Sequence, residues 1–455
     1  MTGSEADGQS RSTAAHAPAP GLFTRLIARA ARLLAKGLYR SVEVSNVDPG
    51  WSRAPVLMVA NHPTGMSDPA LLLGLLGRSP RFLAKSTLWD TPGVGWFLDR
   101  IGAIPVYRAQ DGSTGHNAEM FRDVVEVLRH RETVTLFPQG RVFDEPYLGP
   151  IKTGAARIAL SAYSADVDGL NVVPVGIHLK EKAAIRSRAF VQVGDVVDLD
   201  EELAERDLLN ASPEDVALVH RLTGEIEERL ARVSPGFVDE AHAQALSFAA
   251  EVALREPDAS AGVSFAEREL VAARLARCDD RAKAGVVEPA QQYASALEDV
   301  AVRDADLVNA RHPDGLPKRL LGVLVLLVLL APFAAAGVVM NIGPTLILWG
   351  SIARVRSGSM TSSTVRMVVA IFAYLVTWVV WAVVAWRMAS GQIGLIVLAA
   401  GPLYGAVAVS VLDRAVPLWR DWSGLRRARR LGAAGEMLRE QRALVVERVE
   451  AALLR

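Results

Sequence analysis

At 455 residues the chain is too long for one ordinary compact core, which predicts about two or three units. Fifty Lys and Arg balance fifty Asp and Glu, so no global basic field exists to hold nucleic acid, and charge must act locally. The single Cys278 excludes an intramolecular disulfide framework and a cysteine-rich zinc site, and the eight histidines show no HExxH-like spacing that would hold a metal. Hydrophobic residues reach 51% and mean hydropathy is positive, which points to part of the chain residing in lipid.

Residues 1–20, rich in Ser, Ala, Gly and Pro, are predicted to be disordered. They lack the apolar core of a secretory signal, so the expectation is a start in the cytoplasm. Residues 21–40 read as an amphipathic interfacial helix. Arg25, Arg29, Arg32, Lys36 and Arg40 recur at steps of three or four, while Leu22, Phe23, Leu26, Ile27, Leu33, Leu34 and Leu38 fill the rest. An ordinary core-packing helix competes with that reading, but a basic stripe beside so wide an apolar face fits lipid headgroups better.

From 42 to 235, short β-branched runs at 56–60, 133–137, 172–177 and 190–193 alternate with helical spacing at 69–77, 116–130 and 150–164. That alternation predicts an α/β domain with a substantially parallel sheet and functional residues on the loops leaving it. Residues 237–317 are polar and alanine-rich, and predict a helical connector.

Composition then changes sharply. Residues 320–340, 367–386 and 393–412 are uncharged and long enough to cross hydrocarbon, so an α-helical membrane anchor is expected. A single crossing by 320–340 would leave Arg354, Arg356 and Arg366 on the far side, against the positive-inside tendency. The expectation is therefore a hydrophobic hairpin or re-entrant segment over 320–353, broken near Pro332 or between Asn341 and Pro344. A transmembrane hairpin over 367–412 and a basic cytoplasmic tail over 414–455 follow. This arrangement makes a multi-pass protein of the cytoplasmic membrane with its catalytic domain in the cytoplasm.

One segment carries chemistry. The run at 56–60 ends in Asn61, His62 and Pro63, and Asp68 and Pro69 follow. A neutral imidazole is the natural general base at cellular pH, and a carboxylate on its other nitrogen would fix the tautomer. Positions six apart do not share a helix face, so a turn must join them; Pro63, Gly65 and Pro69 suit one. With no GxSxG elbow and no suitably placed cysteine, the base would have to act on a hydroxyl of the substrate itself. On these residues alone, a structural histidine beside a helix-capping aspartate is an equal reading.

The segment resembles the first block of the phospholipid/glycerol acyltransferase (PlsC-type) family, in the branch with one extra residue between His and Asp. That branch resembles glycerol-3-phosphate and 1-acylglycerol-3-phosphate acyltransferases. IGAIPVYR, ending at Arg108, is similar to the second block. FPQGRVFDEP from Phe137, running into IKTGAAR from Ile151, is similar to the third, and VVPVG from Val172 to the fourth. The resemblance implies an α/β acyltransferase domain that moves a fatty acyl group from acyl-CoA or acyl-ACP to a glycerol-phosphate or lysophosphatidate hydroxyl in phospholipid biosynthesis. It implies no cofactor beyond that co-substrate, and membrane lipids as partners. His62 and Asp68 would be catalytic. Arg108 and Arg141 would hold the acceptor phosphate by paired hydrogen bonds, with Lys85 and Lys152 as second candidates. Gly140 and Gly154 would allow close backbone approach.

Two departures stand out. Gln139, which the resemblance also places among the substrate-binding residues, replaces the acid of the third block, keeping a carbonyl acceptor without the charge, and Val142 and Phe143 stand where this branch often has Ser-His. Acylation of another lysolipid or alcohol, or a catalytically decayed membrane scaffold, are the competing expectations.

Overall fold

The computed structural model describes residues 22–45, 54–75, 80–91, 93–107, 117–182, 184, 186–204, 211–255, 262–310, 316–354 and 362–454. The expected disorder at 1–20 lies outside them.

Helix α1 (Leu22–Leu38) leads into strand β1 (Tyr39–Ser45). There follow β2 (Val56–Ala60), α2 (Ser67–Leu75), β3 (Arg81–Lys85), α3 (Val94–Arg100), β4 (Ile104–Val106), α4 (Asn117–Arg129) and β5 (Thr133–Leu136). The rest of the sheet unit is α5 (Gly154–Tyr163), β6 (Asn171–Leu179), β7 (Ser187–Val193), β8 (Val197–Asp198), α6 (Leu199–Ala204) and α7 (Val216–Val233). The sheet order is β1-β7-β6-β2-β5-β3-β4, with β8 pairing β6. Pairs β2/β5, β2/β6, β3/β5, β3/β4 and β1/β7 are parallel, and β6 is antiparallel to β7 and β8. The expected alternation is there, with an antiparallel element the sequence did not reveal.

Strand β2 sits centrally and all five of its side chains are buried, as a strand covered on both faces requires. Leu57 and Val59 face one core with α4, α5 and α7, while Val56, Met58 and Ala60 face another with α1 and α2. Helix α1 packs through Ala31 and Ala35, and Gly74 of α2 lets its backbone approach Arg32 closely. Leu26 and Leu33 are left exposed beside Arg29, Arg32 and Lys36.

Helices α8 (Glu240–Leu254), α9 (Phe265–Ala276), α10 (Asp280–Asp299) and α11 (Asp304–Asn309) make up the connector. Three long apolar helices follow, α12 (Leu316–Arg354), α13 (Ser362–Met388) and α14 (Gly391–Ala428), then α15 (Ala433–Leu453). By length and composition each of the three could cross a membrane. Two expectations need correction. Residues 414–455 are no free tail, because α14 runs on to Ala428 and α15 buries Leu438, Val445 and Val449 in one core with Leu246, Ala249, Leu275 and Tyr293 of the connector. Nor is 320–353 broken near Pro332 or between Asn341 and Pro344, since α12 is one continuous helix through both prolines.

The continuity at Pro344 has a local cause. Proline leaves the Met340 carbonyl without its helical donor, and Trp381 Nε1 of α13 donates to it at 3.3 Å. The Asn341 amide donates to the Gly337 carbonyl at 2.8 Å and accepts from Trp378 Nε1 at 2.9 Å. Polar groups that looked like a break are instead bonded across helices.

Candidate active site

His62 leaves the carboxyl end of β2, and residues 137–143 leave the carboxyl end of its parallel neighbour β5, so two adjacent strand ends deliver the site. The chain turns at Gly65, whose φ of 96° suits glycine, and enters α2 with Asp68 in its first turn. His62 Nδ1 and Asp68 Oδ2 are 2.8 Å apart. A carboxylate only accepts, so Nδ1 carries the proton and the Nε2 lone pair is the basic position.

Asp68 is fully buried and saturated with donors. Oδ2 also accepts from the Thr64 N–H at 2.9 Å and the Gly65 N–H at 3.1 Å, and Oδ1 accepts from the Thr64 hydroxyl. These bonds fix the carboxylate in place and aim it at the imidazole. Asp68 is thus a partner of His62, which decides against the bland capping reading.

The third block grips His62 from the main chain. The His62 N–H donates to Gln139 Oε1 at 2.9 Å, the Phe143 N–H donates to the His62 carbonyl at 2.8 Å, and Phe137 stacks on the imidazole with centroids 4.0 Å apart. Gln139, expected to bind substrate, is buried and turned to the histidine backbone. Asn61 fixes the other flank, donating to the Ile177 carbonyl at 3.1 Å and accepting from its N–H at 2.7 Å. Asn61, Thr64 and Phe137 were in plain view in the motif, but only the fold shows what they hold.

The remaining candidates separate. Gly140 has φ 68°, and a Cβ there would lie 3.0 Å from Lys152 Nζ, so the ammonium rests over this bare backbone. Arg141 is exposed with its guanidinium over the Phe143 ring at 5.4 Å. Gly154 opens α5, whose first turn has no side-chain cap, leaving N–H groups for an anion. Gly140, Arg141, Lys152 and Gly154 therefore gather next to the segment that clamps His62. Lys85, at the end of β3, pairs in register with Val106 on the outer side of the sheet. Arg108 lies outside the described residues.

Residues 41–178 match the family model described as Acyltransferase. Over 90 residues the chain is 38% identical to glycerol-3-phosphate O-acyltransferase 2 of Saccharomyces cerevisiae, covering 20% of this chain and 12% of that protein. Over 124 residues it is 29% identical to the chloroplastic 1-acyl-sn-glycerol-3-phosphate acyltransferase BAT2 of Brassica napus, covering 27% and 33%. The alignments thus span a third or less of these relatives. A solved 1-acyl-sn-glycerophosphate acyltransferase, PlsC, from Thermotoga maritima is 21% identical at a TM-score of 0.32, over 45% of this chain and 78% of that one. The chain carries, at residues 41–178, a domain of the Acyltransferase family.

Proposed function

We propose that the protein is a membrane-bound O-acyltransferase that moves a fatty acyl group from acyl-CoA or acyl-ACP to a hydroxyl of glycerol-phosphate or lysophosphatidate. The observation that carries this reading is the His62–Asp68 pair, 2.8 Å apart, with no protein partner on Nε2 among the described residues. His62 Nε2 takes the proton as the acceptor oxygen bonds to the thioester carbonyl carbon. The C–S bond then breaks, and the imidazolium returns the proton to the leaving thiolate. Asp68 stabilises the imidazolium throughout. Arg141, Lys152 and the uncapped start of α5 supply the cationic surface for the acceptor phosphate.

Gln139 gives no support to decay. Its structural task is to accept one backbone hydrogen bond, which the amide oxygen does. The test is transfer from labelled acyl-CoA and acyl-ACP, in membranes, to a panel of phosphorylated and unphosphorylated acceptors. The wild type should acylate a phosphorylated acceptor, and His62→Ala should lose about 10²–10⁴ in rate while staying folded. Near-normal turnover by a folded His62→Ala protein would overturn the mechanism.

The anchorage reading follows from the shared core. Residues before α12 and after α14 are buried together, so both ends of the apolar block lie on one side of a membrane and its crossings are even in number. Helices α13 and α14, joined through Ala389 and Ser390, form the crossing pair. Their open ends meet the acyltransferase domain, since α13 touches α2 and Asp413 of α14 pairs with Arg186. Helix α12 accordingly makes no net crossing, and the catalytic domain, loop 355–361 and α15 share the cytoplasmic face of the cytoplasmic membrane.

A further inference from the structure

Strands β2, β3, β4, β5 and β6 run parallel to one another, so their carboxyl ends share the end of the sheet that carries His62. Strands β1 and β7 run the opposite way, which brings their amino ends to that same end. Arg40, the second residue of β1, and Arg186, just before β7, therefore lie there, and both bond Asp413 of α14. Asp413 closes the uncharged run 393–412, so a membrane that holds this run has its surface at the level of Asp413. The sheet is thus moored along its β1 edge, with its His62 end toward the lipid.

The far edge of the sheet carries an apolar patch at the same end. Strand β3 finishes at Lys85, and the single helical turn Ser86–Leu88 continues from its carboxyl end. Helix α3 packs down on that turn, so closely that a Cβ on Gly95 would lie 2.7 Å from the Trp89 carbonyl oxygen. Trp89 Nε1 donates to Asp99 Oδ1 at 2.7 Å and ties the two together. The segment is held in shape, yet its large side chains turn outward. Trp96 is 61% exposed, Phe97 41% and Leu88 40%, and Met66 on the His62 loop is exposed as well. A lone exposed apolar residue needs no explanation, but a fixed group of them marks a contact surface.

We propose that Leu88, Trp96 and Phe97 form a second membrane contact, seated in the headgroup boundary of the leaflet that α14 leaves at Asp413. The inference rests on the anchorage reading above and adds a surface to it. The patch shares the end of the sheet with Asp413, so a bilayer reaching the one reaches the other. From β1 to β3 is five strand steps, about 24 Å at about 4.8 Å each, and β2 lies between them, so the two contacts straddle His62. The Arg100 guanidinium lies 5.7 Å from the centre of the Trp96 ring. An indole with a cation beside it suits the boundary between hydrocarbon and headgroups, where the ring is half buried and the charge stays wet. One mooring at the β1 edge would let the sheet tilt. A second across the sheet fixes the tilt and keeps the His62 end against the lipid.

The experiment uses full-length protein in vesicles of phosphatidylcholine and phosphatidylglycerol, in a Cys278→Ser background, with single cysteines carrying an environment-sensitive fluorophore. Phe97→Cys reports the patch and Val376→Cys the exposed middle of α13. Asp168→Cys, exposed before β6 at the other end of the sheet, reports open water. The quenchers are lipids bearing a nitroxide either near the headgroup or at the chain end. The Phe97→Cys label should lose most of its emission to the shallow nitroxide and less to the deep one, as a group about 5–10 Å into the boundary does. The Val376→Cys label should be quenched by the deep nitroxide, and the Asp168→Cys label by neither. Quenching at Phe97→Cys should survive high salt, because apolar burial holds it, and should fall when Trp96→Ser is added. A water-exposed signal from Phe97→Cys beside a quenched Val376→Cys overturns the proposal and leaves the anchorage reading intact. A Phe97→Cys label shielded from water but untouched by either nitroxide is covered by protein, a second copy included, and also overturns it. An unquenched Val376→Cys would instead refute the anchorage reading, with Phe97→Cys still deciding the patch. Should the label at 97 prevent folding, Leu88→Cys reads the same surface by the same quenching.

Discussion

Replacing Gln139 by alanine tests the clamp on His62, the base of the proposed reaction. The His62 N–H has Gln139 Oε1 as its acceptor at 2.9 Å, and Gln139 is only 5% exposed. Removing one partner of a buried hydrogen bond leaves the other unsatisfied, at a cost of about 1–3 kcal/mol. The His62 loop can recover that energy only by moving toward water, which carries the imidazole away from its stack on Phe137. At about 1.4 kcal/mol per factor of ten, kcat/KM should fall about 5- to 150-fold, with a parallel loss in urea midpoint. Gln139→Glu keeps the acceptor and should retain most of the rate. The added anion beside His62 favours the imidazolium, so its acid limb should move to higher pH. The assay is kcat/KM for acyl transfer across pH 5–9, about two units to either side of neutrality, beside equilibrium unfolding. If Gln139→Ala keeps both wild-type kcat/KM and wild-type stability, the clamp does not act on catalysis.

Gly140→Ala would strain a backbone at φ 68° and push Lys152 Nζ from its place, so the KM for a phosphorylated acceptor should rise while that for the thioester stays put; equal rises would remove Lys152 from the phosphate site. At Glu43, burial alone would raise the carboxyl, but bonds from the Ser264 hydroxyl, the Ala266 N–H, Arg188 and the Phe265 N–H outweigh it and hold the group at about 2 against an ordinary 4.5. Its contribution is therefore complete above pH 4.5 and is lost as pH falls through 2, so the gap in urea midpoint between wild type and Glu43→Gln should be wide at neutral pH and shrink through that window. Even crossing number predicts that cysteines at Ser359 and Ser423, in a Cys278→Ser background, share one side, both shielded from an impermeant thiol reagent in intact cells; labelling of the first alone would refute it.

The parts legible in the sequence were those where neighbours in the chain decide the outcome. The buried run of β2 and the turn residues Pro63 and Gly65 gave strand, loop and helix start in order, and with them the His62–Asp68 pair. Strands β1, β3, β4 and β8 went unrecognised, because Tyr39–Ser45 and Arg81–Lys85 carry charged side chains that a hydrophobic pattern does not flag, while β4 and β8 are only three and two residues long. Gln139 was read through the charge it lacks, whereas the fold uses its oxygen, and its partner lies 77 residues away. Asn341 and Pro344 read as a break for a similar reason. The donors that make the helix continuous, Trp378 and Trp381, sit on another element.

The same reasoning joins the two halves of the protein. Asp413 is the first acidic residue after the uncharged run at 393–412, so it marks where α14 leaves its apolar stretch. At that level it meets Arg186 and Arg40 of the sheet domain. Beside them α1 leaves Leu26 and Leu33 exposed among Arg29, Arg32 and Lys36, the arrangement of a helix at a headgroup boundary. On the proposed reading this contact does more than tether. Acceptor and product each carry a phosphate that belongs with the headgroups, while the acyl chain belongs in hydrocarbon, so the reacting hydroxyl lies at the boundary between the two. A domain clamped where α14 turns polar brings His62 to the substrate's own depth, and the ester can form without drawing either lipid far out of the bilayer.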